Sequence, residues 1–172
     1  PARRSDVRYW SGALGAVTRL ILELVPSFEV SQRVYEGLPL DVLDDHFGEI
    51  MAGGYSVSMF TDWRAPRLTQ LWIKSLAEDG TPPVTEEPWF AATPAPAARN
   101  PVPGLPPANS TAQLGEPGPW FERLPHFRPE LTPSAGDELQ TEYLLPAAHA
   151  VDAVHALQRA GDRIAPLLRI GE

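Results

Sequence analysis

The sequence contains no cysteine. Disulfides, thiolate nucleophiles, zinc knuckles and iron–sulfur ligation are therefore excluded together. The same absence fits a reducing, cytoplasmic setting. No apolar run approaches the roughly 20 residues that a membrane-spanning helix needs, and no secretory signal opens the chain, so no membrane association is expected. Positive charge is scarce as well: 14 Lys and Arg stand against 22 Asp and Glu, giving a formal net charge of -8. An acidic chain has no general attraction for phosphate backbones, and nucleic acid is not an expected partner. Catalytic signatures are missing too. There is neither a Gly-x-Ser-x-Gly nucleophile turn nor a Walker-type phosphate loop. The four histidines do not suggest a metal site. His149 and His155 are six residues apart and do not share a helix face, and His46 points away from its neighbours Asp44 and Asp45.

Proline is abundant, and its placement divides the chain. Of 20 prolines, 14 fall between Pro82 and Pro133. Two regular blocks therefore flank a proline-rich insertion, residues 77–133. Its first half, Glu78 to Pro107, has no sustained period and reads as a mobile surface loop. Its second half carries Trp120, Phe121, Leu124, His126 and Phe127. A disordered linker lacks that many aromatics, so residues 113–131 are expected to be ordered, irregular and packed over one sheet face.

The first block opens on Gly12 and Gly15, then on the apolar run Ala16, Val17, Thr18, Leu20, Ile21, Leu22 and Leu24. This is a glycine turn feeding a strand that runs, with an interruption at Pro26, to about residue 36. Pro39 sits where a helix starts. Leu40, Leu43, Phe47, Ile50 and Met51 share one face of that helix, Asp41, Asp44 and Asp45 complement its dipole, and Gly53 and Gly54 stop it. Tyr55 to Trp63 and Leu68 to Lys74 alternate as strands and are expected to pair as a hairpin. The second block begins with a strand over Glu138 to Leu145. A helix follows after Pro146, with Ala147, Ala150, Val151, Val154, Leu157 and Gly161 as its apolar stripe. A last strand is expected over Ile164 to Ile170. The order β-α-β-β, insertion, β-α-β predicts an α+β fold: a largely antiparallel sheet with helices on one face.

Glu172 stands out at the end. By period two it continues the row Ile164, Pro166, Leu168 and Ile170. A carboxylate in an apolar row is costly to bury without a partner or a role, whereas at a solvated chain end it needs neither. The chain starts at Pro1 rather than Met and stops in an apolar stretch, so it is expected to be a fragment.

Four stretches carry a resemblance. Ser11-Gly-Ala-Leu-Gly-Ala-Val-Thr18 resembles the end of the flavin-binding domain in the vanillyl-alcohol-oxidase superfamily. Gly54-Tyr-Ser-Val-Ser-Met-Phe-Thr-Asp-Trp63, Gln113-Leu-Gly-Glu-Pro-Gly-Pro-Trp-Phe-Glu-Arg-Leu-Pro-His-Phe-Arg128 and Glu138-Leu-Gln-Thr-Glu-Tyr-Leu-Leu-Pro146 are longer and more specific. Together they resemble the alditol oxidase (xylitol oxidase) group, relatives of the sugar-lactone oxidases. The resemblance implies a two-domain enzyme with covalently held FAD that oxidises a terminal hydroxyl of alditols such as xylitol or sorbitol, oxygen being reduced to hydrogen peroxide. Residues 1–24 would then be the end of the flavin-binding domain and a crossover strand, and residues 25–172 a truncated substrate (cap) domain. The resemblance implies that the backbone at Val17 touches FAD. It also makes Glu172 the first residue of a Glu-x-Arg pair that binds the polyol. The rest of the flavin-binding domain would be the missing partner, and the fragment alone would be inactive. The alternatives are a sugar-lactone oxidase of the same superfamily and a non-catalytic carbohydrate-binding domain.

Overall fold

The computed structural model describes residues 16, 18–19, 21–77, 88–128, 130–131 and 138–172. Five strands form one antiparallel sheet: β1 (Glu29–Glu36), β2 (Ser56–Phe60), β3 (Gln70–Leu76), β4 (Thr93–Pro94) and β5 (Gly118–Pro119). The order is β2-β3-β1-β4, with β5 also paired to β1. The helices are α1 (Val42–Met51), α2 (Trp120–Arg123), α3 (Ala150–Arg159) and α4 (Gly161–Ile164). The expected α+β class, an antiparallel sheet with helices, is the observed one.

Alternation along the strands gives the sheet two different faces. One carries Tyr35, Leu71 and Ile73. With Leu43 and Ile50 of α1 these form the main core, against which Val151 and Val154 of α3 pack. The helix expected after Pro39 is α1, which starts at Val42 and has Asp44 and Asp45 in its first turn. Gly53 lies beneath the Trp89 ring, where a Cβ would approach ring carbons to 2.5 Å. The expected hairpin is also present, with Val57 opposite Ile73 and Met59 opposite Leu71.

The second face is more polar. It presents Ser56 and Ser58 of β2, Lys74 and Trp72 of β3, and Gln32 and Val34 of β1, in register across the three strands. Its apolar part is a smaller cluster of Val34, Phe60, Trp72 and Ala95, with Ile170 packed against it. The later part of the proline-rich region covers this face, whereas Trp89, Phe90 and Ala92 pack on the main core. Prolines cannot donate backbone hydrogen bonds, and side chains do much of the tying instead. Gln113 accepts from the Arg99 amide at 2.8 Å and donates to the Arg99 carbonyl at 2.7 Å. Arg99 holds Glu36 of β1 at 2.7 Å. Thr111 donates its hydroxyl to the Pro125 carbonyl at 2.8 Å.

Four expectations need correction. The first strand is shorter than expected: Ile21 to Phe28 have no regular structure, and Ile21, Leu22, Leu24 and Val25 are exposed. Pro26 removes a ladder donor where the strand was to continue. Residues 88–107 are not a detached loop, since β4 pairs with β1 and Ala92 and Ala95 are buried. Residues 138–145 form no strand, and Leu139, Tyr143, Leu144 and Leu145 are exposed. Alternation supplies a face but not a neighbour, and no described strand pairs with this row. The last expected strand is instead α4 followed by a turn. Its apolar residues separate, Ile164 and Leu168 joining the main core and Ile170 the smaller one.

Candidate functional site

The candidate site lies on the polar face, at the β2 side of the sheet. Gly171 and Thr61, just beyond β2, exchange two backbone hydrogen bonds of 2.9 and 3.0 Å. This single antiparallel bridge extends the pattern of β2. A Cβ on Gly171 would lie 2.8 Å from Trp63 Nε1, so the close approach requires glycine. Antiparallel pairing at Thr61 places the following residue, Glu172, beside Phe60 on the polar face.

His126 meets Glu172 there. It comes from the proline-rich covering segment, where Thr111 donates its amide to the His126 carbonyl at 3.0 Å. Its ring packs edge-on against Phe60 and Trp72, with centroids 5.5 and 5.4 Å away. Nε2 lies 2.9 Å from Glu172 Oε1 and 3.1 Å from Ser58 Oγ. Nδ1 lies 3.1 Å from Lys74 Nζ.

Lys74 is 1% exposed. Its ammonium donates to the Leu124 and Pro125 carbonyls as well as to His126. Those three acceptors match the three N–H bonds of an ammonium. Burial pushes its pKa down to about 8, against the attraction of Glu172. The pKa of Glu172 is lowered, chiefly by the hydrogen bond from His126; burial opposes the shift, and the charge of His126 when protonated, the Ser58 hydroxyl and Lys74 add to it. The Glu172 side chain nevertheless remains 50% exposed. An ionised carboxylate is thus held by the half-buried His126, with the buried Lys74 behind it, and stays open to solvent.

Such a site can accept hydrogen bonds from a hydroxylated ligand. Its donor set does not fit the pyrophosphate of a flavin. The cation of the cluster, Lys74, has its three N–H bonds occupied, and Glu172 repels phosphate. Among the described residues no group of three or more His, Asp and Glu could hold a metal ion. Two surface concavities of about 290 and 390 Å³ are lined by other residues, Asp62, Arg64 and Arg169 among the first set and Asp41 and Arg67 among the second.

Of the two site residues expected from the sequence, Glu172 is in this cluster and Val17 lies outside the described residues. Ser58, Lys74 and His126 were not expected to meet Glu172. A signal existed for Lys74, a charge in mid-strand on the same face as Ser58. His126 offered none beyond its place among aromatics. The other histidines stand apart: His155 Nε2 contacts Asp44 Oδ1 at 2.5 Å, joining α3 to α1, and the His46 ring packs on Phe90.

The architecture is an antiparallel α+β layer carrying a carboxylate-centred polar site, and no family model matches the chain. The sequence is 54% identical, over 161 residues and 94% of its length, to a protein named alditol oxidase from Streptomyces sp. (strain IKD472 / FERM P-14339). The chain spans about 37% of the length of that curated relative. The resemblance read from the four stretches is thus found over nearly the whole chain, consistent with a fragment of an alditol oxidase.

Proposed function

We propose that this chain is the substrate-domain part of an FAD-dependent oxidase acting on the terminal hydroxyl of alditols such as xylitol or sorbitol, with oxygen reduced to hydrogen peroxide. Residues 25–172 are the substrate domain on this reading, and residues 1–24 the end of the flavin-binding domain. The observation that carries it is the Glu172 carboxylate, held ionised and half-exposed in a chain so similar to an alditol oxidase.

A carboxylate of this kind accepts hydrogen bonds from two or more polyol hydroxyls. Charge-assisted bonds are about twice as strong as neutral ones and fix the donor's position. Orientation of the carbinol carbon is then the contribution of these residues to the reaction. The flavin belongs to a part of the intact protein outside the described residues. The backbone at Val17 touches it on this reading.

The test is peroxide production by the intact protein with xylitol and, separately, with an aldonolactone. Turnover of xylitol in preference to the lactone supports the proposal. Preference for the lactone replaces it with a sugar-lactone oxidase, and no peroxide with either ligand overturns it.

A further inference from the structure

We propose that His126 is a positioning residue, which, as the neutral Nε2–H tautomer imposed by Lys74, holds the Glu172 carboxylate toward the polyol. The inference rests on the reading of Glu172 as a polyol-binding group and adds the device that aims it.

Lys74 sets the tautomer of His126. An ammonium donates and cannot accept, so its 3.1 Å contact requires His126 Nδ1 to be the bare, accepting nitrogen. The ring proton then sits on Nε2. That N–H points at Glu172 Oε1, 2.9 Å away, and donates to it. Ser58 Oγ, 3.1 Å from the same nitrogen, faces a donor, which leaves its own hydroxyl proton free for the carboxylate. Every polar contact in the chain from Lys74 to Glu172 thus runs in one direction.

The ring is also fixed sterically. Phe60 and Trp72 both pack edge-on against it, while the Leu124 and Pro125 carbonyls that bind Lys74 immediately precede it in sequence. The ammonium is therefore tied to the segment that carries the imidazole as well as to the imidazole itself. Lys74 is buried with all three donors occupied and has no direct route to a ligand. Beyond its charge attraction for Glu172, its hydrogen-bonded link to a bound polyol runs through His126. A carboxylate held by a fixed donor presents its remaining lone pairs in a fixed direction, which a freely rotating glutamate at a chain edge does not.

The test uses the intact protein. Nitrogen-15 spectra of the imidazole, assigned by their loss in H126Q, are expected to show Nε2 protonated and Nδ1 bare. The opposite tautomer overturns the proposal. In kinetics, H126A is expected to lower kcat/KM for xylitol at least about tenfold, the scale of a lost hydrogen bond to a charged group. H126Q keeps an N–H donor near the Nε2 position and is expected to recover most of that loss. The acid limb of the kcat/KM profile is expected to move to higher pH in H126A, because His126, first through its hydrogen bond and then through the charge it carries when protonated, is the main influence lowering the Glu172 pKa, with Ser58 and Lys74 the other contributors. An unchanged profile overturns the positioning role. If E172Q is impaired while H126A matches wild type, the positioning role fails and the polyol reading stands. If E172Q matches wild type, the polyol reading itself fails.

Discussion

His126 Nε2 and Glu172 Oε1 lie 2.9 Å apart although 46 residues separate them in sequence. Two independent anchors create the contact. The Thr61–Gly171 bridge fixes the carboxylate end, and Lys74, with the Phe60 and Trp72 rings, fixes the imidazole end.

Gly171 admits no side chain. A Cβ would meet Trp63 Nε1 at 2.8 Å, and Trp63 is 8% exposed within the core. G171A is expected to destabilise by about 1–3 kcal/mol, the usual cost of overpacking. Gly48 in α1 has open space around it. G48A is therefore expected to stabilise by about 0.5–1 kcal/mol through helix propensity. Thermal unfolding of the two variants should give shifts of opposite sign.

Lys74 makes stability depend on pH in the alkaline range. Burial lowers its pKa to about 8 in the folded protein from the ordinary lysine value of 10.5. Below pH 8 both states carry the proton, and the folded state bears the full cost of burying the charge. Between about pH 8 and 10.5 the unfolded chain binds the extra proton, so this contribution shifts toward the folded state as pH rises. The full change is on the order of 3 kcal/mol. In urea titrations at pH 7 and 9.5, wild type should gain stability relative to K74M as pH rises. An equal pH response in both proteins contradicts the assignment.

Glu172 acts at the other end of the pH scale with the opposite sign. Its folded-state pKa is lowered, so its stabilising contribution is present above the unfolded value and is lost as pH falls through the folded one. E172Q should therefore flatten the acid side of the stability profile. Urea midpoints across the acid range compare the two directly.

Gln113 is 5% exposed and bonds both the amide and the carbonyl of Arg99. Q113A removes two hydrogen bonds from the segment covering the polar face. A loss of about 2–3 kcal/mol is expected. Because Arg99 in turn holds Glu36, hydrogen exchange should quicken first around β4 and the covering segment.

The parts of the fold legible in the sequence were those specified locally. The hairpin of β2 and β3 follows from alternation on both sides of a short Pro66 link. Helix α1 follows from spacing and from acidic residues in its first turn. The Leu139–Leu145 row misled because periodicity specifies a face and not a partner strand. The Ile164–Glu172 row misled in a different way. Its first part turned out to be helix and turn, with Ile164 and Leu168 on one core and Ile170 on the other. Yet the last step of the period-two reading held, since Ile170 and Glu172 flank the single bridge at Gly171. The site itself was legible only at Glu172. Its partners come from β2, β3 and the proline-rich segment, and no local pattern announces that the ring at position 126 will reach across the sheet.

The proposed function has the Glu172 carboxylate bind the polyol in an alditol-oxidising enzyme. Its most direct test is kcat/KM for xylitol, read from peroxide release, in the intact protein carrying E172Q. It predicts a fall of about 10- to 100-fold, the scale of losing hydrogen bonds to a charged group. A value equal to that of wild type would contradict it.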